Sequence, residues 1–273
     1  MESKVTVDGK VAATLDGGSP TTGENPSEAV TRLGFGGRLA RSFARLIGVF
    51  FSPITTCRDI GKAPDWLVPM VVVLGGSLLV SVLLMPHYDL VGMFEAQAAH
   101  SSASPAQLEQ QIQAVKDHPE AVAAAIAGSV WLGLWVVGLF VVALVCWVGV
   151  NAVGGKTTYG RTLSVLTYAW MIPLLHVGVL YAVVVARGTP VRPDLLAMVL
   201  VTNPAAFMSP SSSTTPMFAL ASQIQPFTLW GLGVLGIGLS ESGRLSRGAA
   251  VFLVGVLWAV WLILSVGLAA LNS

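Results

Sequence analysis

Several histidines and carboxylates lie close together in one polar segment of the chain. Residues 87–120 contain three histidines with five carboxylate neighbours, namely His87, His100, His118, Asp89, Glu95, Glu109, Asp117 and Glu120. Imidazole and carboxylate groups both bind zinc, but these histidine spacings match no zinc-ligand repeat. The pattern favours an acidic, solvated loop over a metal site. We therefore expect no metal and no cofactor.

Two glycine-containing stretches formally resemble phosphate-binding loops. GLGVLG, residues 231–236, has the spacing of a dinucleotide fingerprint, and GGKT, residues 154–157, resembles the end of a P-loop. Neither has the preceding strand that such loops need, and Val150 stands where the first P-loop glycine should be. GLGVLG instead predicts close packing between membrane helices. The turn predicts that Lys156 and Arg161 meet lipid phosphates.

Polar groups inside the apolar stretches are few. His176 lies in mid-stretch, where ionisable side chains are costly and often functional. A neutral imidazole can also hydrogen-bond to a neighbouring helix, so we favour a structural role over a proton relay. Cys57 lies near an interface, where a passive thiol is a simpler interpretation than an acylated one. No acid pair or activated nucleophile is recognisable in the apolar stretches, and the protein is predicted not to be an enzyme.

A basic amphipathic pattern precedes the first long apolar stretch. Leu39, Phe43, Leu46 and Phe50 recur at helical spacing, and the opposite side carries Arg38, Arg41 and Arg45. At about 1.5 Å per residue this helix is too short to span a bilayer, and it is also too charged. We expect it to lie in the headgroup plane with the three arginines toward anionic lipid or a partner.

The composition of the whole chain suits a bilayer. Of its 273 residues, 54% are hydrophobic and 11% are charged, whereas a soluble domain carries roughly 25% charged residues. The net charge of +1 gives no basic field for nucleic acid, and no nucleic-acid partner is expected. Residues 1–30 are polar and aperiodic, which predicts a disordered cytoplasmic tail. Residues 31–62 form the basic interfacial segment, and residues 63–271 form the membrane domain.

Apolar stretches of bilayer length predict an all-α polytopic helix bundle with about five transmembrane spans. The predicted spans are residues 66–85, 120–150, 161–186, 216–239 and 248–271. Pro173 is expected to kink the third span. In the fourth span, Gln223, Gln225 and Pro226 interrupt the first half, so its limits are the least defined.

The distribution of basic residues predicts the orientation. With the five spans above, twelve Lys and Arg residues fall on the side of the N-terminus, and only Lys116, Arg187 and Arg192 fall on the other. The positive-inside rule therefore places the N-terminus in the cytoplasm and the C-terminus outside.

Two stretches carry a resemblance to a known family. FFSPITTCRDIGKAPDWLVPMVVVL, residues 50–74, and GGKTTYGRTLSVLTYAWMIPLL, residues 154–175, resemble the Yip family of Ypt/Rab-interacting multispan membrane proteins. The second stretch is the more specific one, and its motif positions are Tyr159, Gly160, Leu163, Ser164, Val165, Leu166, Tyr168, Met171 and Pro173. The resemblance covers residues 45–270 and is closest to the bacterial branch, since the eukaryotic Asp-Leu-Tyr-Gly-Pro segment is missing.

The resemblance implies a five-span bundle and a link to membrane trafficking or shaping. We expect a non-enzymatic membrane-organising or adaptor protein in a bacterial cytoplasmic membrane, or alternatively in the early secretory pathway. Its expected partners are the bilayer, a cytoplasmic or membrane protein, and a second copy of itself. The alternative is a small-solute transporter or channel that uses the third and fourth spans, because interrupted helices often line substrate sites.

Overall fold

The computed structural model describes residues 35–98, 105–117 and 119–271. The predicted tail, residues 1–30, lies outside the described residues, as do His100 and His118. In the described parts the chain is helical, and the only strand-like pairing is an isolated bridge between Tyr88 and Val191. The prediction of an all-α polytopic bundle is confirmed.

Two helices form an arm before the first membrane-length helix. Helix α1 spans Phe35–Phe51 and helix α2 spans Pro53–Lys62. Pro53 at the first position of α2 cannot continue α1 but suits a helix start, so the arm bends between the two helices. Residues 63–66 then lead into the bundle.

The bundle contains helices α3 (Leu67–Leu84), α6 (Pro119–Ala152), α7 (Tyr159–Ala169), α8 (Met171–Arg187), α11 (Pro226–Gly243) and α12 (Arg247–Leu271). Shorter helices between them are α4 (Leu90–Ala98), α5 (Pro105–Asp117), α9 (Leu196–Val199) and α10 (Pro216–Gln223). The bounds of α3, α6 and α12 lie within two residues of the predicted first, second and fifth spans. Segment lengths set by bilayer thickness explain that agreement.

Membrane-spanning capacity varies among these helices. Within the described residues, Leu67–His87, Tyr159–Arg187 and Arg247–Leu271 are long and apolar enough to cross a membrane, and Val136–Ala152 is a shorter apolar helix. Their outward side chains are large and apolar, for example Val71, Val251 and Ile263. That the chain crosses five times stays a prediction, because α11 is not among these candidates.

The kink expected at Pro173 appears as a break three residues earlier. Helix α7 ends at Ala169 and α8 begins at Met171, so the break falls at Trp170. Proline has no backbone N–H to donate to the carbonyl four residues before it, which belongs to Ala169. The kink therefore appears one turn before the proline.

The fourth predicted span, residues 216–239, consists of two helices, and the break between them falls where Gln223, Gln225 and Pro226 interrupt the apolar stretch. Helix α10 ends at Gln223, α11 begins at Pro226, and Gln225 between them has an extended backbone (φ −141°, ψ 152°). Steric clash with the proline ring disfavours the helical region for the residue before it, which explains this break. Helix α11 also continues to Gly243, four residues beyond the predicted limit.

Helix α11 lies at the centre of the bundle, where its glycines allow close contact. A Cβ on Gly238 would lie 2.3 Å from Val165 Cγ1 and 3.3 Å from Cys57 Sγ, and one on Gly236 would lie 3.7 Å from Val251 Cγ2. Helices α2, α7 and α12 all meet α11 in this way. The prediction that GLGVLG packs helices together is confirmed at Gly236. At Gly233 an added Cβ would meet no atom of another helix within 4 Å.

Candidate functional site

The arm is attached to the bundle by a cluster of charged and polar side chains. This arm cluster consists of Arg41, Ser42, Arg45, Asp59, Asp65 and Tyr168. Arg45 Nε donates to Asp59 Oδ2 at 2.8 Å, and its Nη1 and Nη2 donate at 2.9 Å to the carbonyl oxygens of Ala63 and Asp59. Arg45 also pairs with Asp65. The five-donor fork of a guanidinium suits such multiple contacts.

Asp65 is the second centre of the arm cluster. It accepts hydrogen bonds from Ser42 and Arg45 of α1, and Tyr168 Oη of α7 donates to its Oδ2 at 3.0 Å. Tyr168 is fully buried, and Arg45 is only 5% exposed. The cluster therefore joins the arm, the entry to α3 and helix α7 at one point.

The surroundings of Arg45 and Asp59 favour the charged forms of these two side chains. Burial lowers the pKa of the Arg45 guanidinium, but Asp65 and Asp59 more than offset this effect and hold that pKa above its ordinary value. Burial raises the pKa of the Asp59 carboxyl, yet hydrogen bonds from Arg41 and Arg45 leave it below its ordinary value. All four charged groups thus stabilise one another within the fold.

This geometry corrects the expected orientation of α1. Arg45 points into the protein and Arg41 is paired with Asp59, so neither guanidinium is directed toward lipid as predicted. Of the three, Arg38 is exposed, Arg41 is half-buried and Arg45 is buried. The apolar residues also divide, because Leu46 is buried whereas Phe43 is half-exposed. A helical period distinguishes two faces but does not reveal which one meets the bundle.

The other predicted cationic residues lie in a second place, between two turns. Lys156, Arg161 and Arg244 line an open cleft of about 330 Å³ together with Asn151, Thr157 and Thr158, and we call these six residues the turn cleft. Lys156 N donates to Gly243 O at 2.8 Å, which holds the two turns together. Lys156 and Arg161 thus face the same space, and their contact with lipid phosphates stays a prediction.

The remaining motif positions have structural contacts. Tyr159 Oη donates to the carbonyl of Phe140 at 3.1 Å, and Ser164 Oγ donates to the carbonyl of Gly160 at 2.8 Å. Near the α7–α8 break, a Cβ on Gly231 would lie 3.7 Å from Pro173 Cδ. The resembling segment therefore positions α7 against α6 and α11.

Three polar residues singled out from the sequence have apolar surroundings. His176 lies against Phe227, with ring centroids 5.1 Å apart, and His87 lies edge-on to Tyr181 at 6.4 Å. Cys57 is 1% exposed, and burial together with nearby Glu241 raises its pKa to about 12, so its thiol is unreactive as it stands. Across the part of the chain that the structure describes, no three His, Cys, Asp or Glu residues come together as a metal site.

The sequence analysis missed Ser42, Asp59, Asp65 and Arg244. A signal existed for the two carboxylates, because Asp59 and Asp65 are the first acidic residues that follow Arg45 along the chain. Arg244 gave no comparable signal, since it lies more than 80 residues from Arg161 in the sequence and approaches it only through the packing of α11 on α7.

An all-α bundle with apolar outer surfaces and a polar arm joined to it defines a multi-pass integral membrane protein. A model of the Yip1 domain matches residues 47–269, so the chain belongs to the Yip1 domain family, as the resemblance implied. The chain is also 26% identical over 230 residues to the membrane protein YknW of Bacillus subtilis (strain 168), covering 84% of this chain and 91% of that protein. That relative supports the bacterial branch. No solved structure matches the chain.

Proposed function

We propose that this protein is a non-enzymatic membrane-organising or adaptor protein of the bacterial cytoplasmic membrane, with its N-terminus inside and its C-terminus outside. The observation that carries the proposal is an arm that is fixed to the bundle by the contacts of the buried Arg45 and of Asp65, and that presents an apolar edge outward. No reaction is needed for such an arm to act on a bilayer.

The apolar edge consists of Phe43, Ile47 and Phe51, which are 50%, 64% and 83% exposed. Their spacing of four residues places them along one side of α1. Burying each in lipid contributes about 2 kcal/mol, enough together to hold the helix in the interfacial layer. The arm then occupies space in one leaflet only, which favours membrane curvature.

The arm is also fixed in direction. Helix α2 contacts α11 closely, because a Cβ on Gly61 would lie 3.4 Å from Ser242 Cα, and Arg58 Nε donates to Glu241 Oε2 at 3.2 Å. With the arm cluster, these contacts make α1 an extension of the bundle. We call α1, held in this way with its apolar edge among the lipids, the wedge. The wedge changes lipid packing, and its exposed surface is available to a partner.

The proposed orientation is supported by the ends of the bundle. The arm, the turn at 153–158 and the turn at 244–246 meet at one end, as shown by the contacts of Glu241 with Arg58 and of Lys156 with Gly243. The bridge between Tyr88 and Val191 and the contact of Arg187 with the carbonyl of Val199 lie in the connections at the opposite end. Most basic residues therefore lie on the proposed cytoplasmic side.

The test of the wedge changes only its apolar edge. The variant Phe43→Ser/Ile47→Ser/Phe51→Ser should leave the fold intact and reduce the deformation of liposomes that contain the full-length protein, measured as vesicle diameter by cryo-electron microscopy. The variant Ala40→Ser/Ala44→Ser changes two exposed residues of the same helix outside the edge and should behave like the wild type. Equal diameters for all three proteins would exclude the wedge.

An adaptor role is tested by crosslinking in native membranes. The full chain is compared with a chain that lacks residues 1–34, since a deletion extending beyond Arg45 would leave Asp65 and Asp59 without their buried cation. Loss of a crosslinked partner on deletion supports an adaptor that works through the tail. A partner retained on deletion but lost in the edge variant assigns binding to α1, and the absence of any partner argues against the adaptor role.

A transporter or channel is the second candidate, because the two interrupted spans pack against each other. Gly231 of α11 faces Pro173, Ile172 and Ala169 around the α7–α8 break, and His176 contacts Phe227 in the first turn of α11. Solute flux through reconstituted protein that disappears in His176→Ala would favour this function. Unchanged flux, or none in either protein, removes it.

A further inference from the structure

The turn cleft brings positive groups together without opposing carboxylates. Among the described residues, Lys156, Arg161 and Arg244 make no ion pair with an Asp or Glu. Glu241, in the last turn of α11, pairs with Arg58 at 3.2 Å and lies 4.0 Å from Arg247, so its contacts are with cations outside the cleft. The three cations therefore repel one another, and no carboxylate among the described residues pairs with them.

The backbone adds further positive potential to the cleft. Helix α7 begins at Tyr159, and its N-cap residue Thr158 makes no side-chain hydrogen bond to the first helical N–H groups. Those N–H groups are therefore free to bind an anion, and the helix dipole places partial positive charge at the same end. The guanidinium of Arg161, in the first turn, is repelled by the partial positive charge of the helix N-terminus, and a bound anion would offset this repulsion.

Arg244 occupies a strained backbone conformation. It has φ 54° and is the only non-glycine residue with positive φ in the described chain. That conformation costs about 1–2 kcal/mol for a residue with a Cβ, and glycine would adopt it freely. In this conformation, the C-cap of α11 carries an exposed guanidinium into the cleft opposite Lys156 and Arg161.

The cleft is also flanked by aromatic side chains of the kind that concentrate at the membrane interface. Trp147 Nε1 donates to the carbonyl of Thr157 at 3.2 Å, and its ring meets that of Tyr159 edge-on with centroids 6.4 Å apart. Tryptophan and tyrosine side chains concentrate at the membrane interface, and basic pockets between membrane helices on the cytoplasmic side suit phosphorylated headgroups.

We propose that the turn cleft is a binding site for a phosphate group, carried either by an anionic membrane lipid or by a soluble phosphate compound. Arg161 and Arg244 provide bidentate contacts, Lys156 provides a point charge, and the hydroxyls of Thr157 and Thr158 together with the N-terminus of α7 complete the donor set. A cleft of about 330 Å³ is large enough for a headgroup phosphate and its ester substituents. The bound anion relieves the repulsion among the three cations and holds the two turns together.

The test compares two double variants with equal loss of charge. Arg161→Gln/Arg244→Gln removes two cations of the cleft, whereas Lys62→Gln/Arg247→Gln removes two exposed cations of the same end of the protein. Each full-length protein is placed in nanodiscs of equal parts phosphatidylcholine and phosphatidylglycerol, and retained lipid is measured by native mass spectrometry after release. We expect wild type and the second variant to retain phosphatidylglycerol selectively, and the cleft variant to lose about tenfold or more in affinity.

A second measurement distinguishes the two sources of phosphate. Inorganic phosphate is added at millimolar concentration to protein in phosphatidylcholine nanodiscs, with chloride at matched ionic strength as the control, and phosphorus NMR line broadening reports binding. Lipid retention without phosphate binding identifies the membrane lipid as the ligand. Phosphate binding without selective lipid retention identifies a soluble ligand. Equal losses in both double variants, or no binding of either probe to wild type, would overturn the proposal.

Arg244→Gly covers the case in which the double variant does not fold. Glycine favours the backbone conformation at this position, so the melting temperature should not fall, but phosphate or lipid affinity should drop several-fold. Unchanged affinity with intact folding would show that Arg244 is no part of a site. Because these variants leave the apolar edge of the arm intact, this result is independent of the liposome test of the wedge.

Discussion

The arm cluster and the turn cleft contain the same kinds of cation at the same end of the protein, but the charges have opposite surroundings. Arg41 and Arg45 are paired with carboxylates, and Arg45 is buried, whereas Lys156 and Arg244 are exposed and unpaired within the described residues. Paired, buried charges fix the position of one helix against another. Unpaired cations beside a helix N-terminus leave uncompensated positive charge, which a bound anion can neutralise.

The largest expected effect is the loss of Arg45. Arg45→Met removes the buried cation that Asp65 and Asp59 share. Breaking a buried pair costs about 3–5 kcal/mol, and because the two carboxylates are 28% and 39% exposed we expect the lower end, about 3 kcal/mol. We expect a severe fall in melting temperature in detergent and detachment of the arm. Arg38→Met changes an exposed arginine of the same helix and should melt like the wild type. If both variants melt alike, the arm cluster is not the attachment point.

The second-largest expected effect is the loss of stability when the hydrogen bond between α7 and the entry to α3 is removed. Tyr168→Phe removes the hydroxyl that donates to Asp65 Oδ2 at 3.0 Å, and a hydrogen bond to a charged group is worth about 1.5–3 kcal/mol. Thermal unfolding measures the loss. Tyr159→Phe removes a hydroxyl bonded to the uncharged carbonyl of Phe140, so it should cost less. A larger loss for Tyr159→Phe would contradict this order.

The third effect is a pH dependence specific to the paired region. The pKa of Asp59 is below its ordinary value of 3.8 in the fold, so its stabilising contribution is complete above that value and is lost as the pH falls through the lower, folded pKa. We expect the melting temperature to fall in this acid range, and less steeply in Asp59→Asn. Because the Asp59 side chain is 39% exposed, solvent screening keeps this effect smaller than the two above. If the plots of melting temperature against pH are parallel for the wild type and Asp59→Asn, the acid sensitivity comes from other groups than Asp59.

The smallest expected effect has the opposite sign and belongs to the unpaired region. Arg244→Gly removes one repelling charge and the strain at φ 54°, so unfolding should become less favourable by about 1 kcal/mol or less. Thermal unfolding in phosphatidylcholine nanodiscs, without anionic lipid, measures this change. A clear loss of stability would show that Arg244 is held by contacts inside the protein, and the contrast between the two regions would fail.

The helices were predictable because their limits follow from local properties of the chain. The starts of α3 and α12 lie at the edges of apolar stretches, and Pro119 begins α6 where a proline suits the first turn. The break before Pro226 was visible as a weak point, but its consequence was not, because a proline can kink or end a helix depending on what packs beside it. For the same reason, the α7–α8 break could be expected near Pro173 without its exact residue.

The candidate site was predictable only in part. Lys156 and Arg161 are five residues apart and share one turn, so local sequence was enough to connect them. The predicted direction of the Arg45 side chain was wrong. The hydrophobic period of α1 separates two faces, but both faces contain apolar side chains, so the period does not show which one packs on the bundle. Burial of the arginine face depends on Asp59, Asp65 and Tyr168, and the last of these is 123 residues away.

The sequence by itself determined that this is an all-α, multi-pass membrane protein, because bilayer thickness and proline chemistry act on continuous stretches of chain, and its match over residues 47–269 showed the Yip1 domain family. Only the tertiary structure decided which cations are paired and which are not. Pairing depends on distances between residues far apart in sequence, and the close approach of α2 and α7 to the glycines of α11 sets those distances. That packing turns Arg45 inward to its carboxylates and brings Arg244 to the cleft of Lys156 and Arg161.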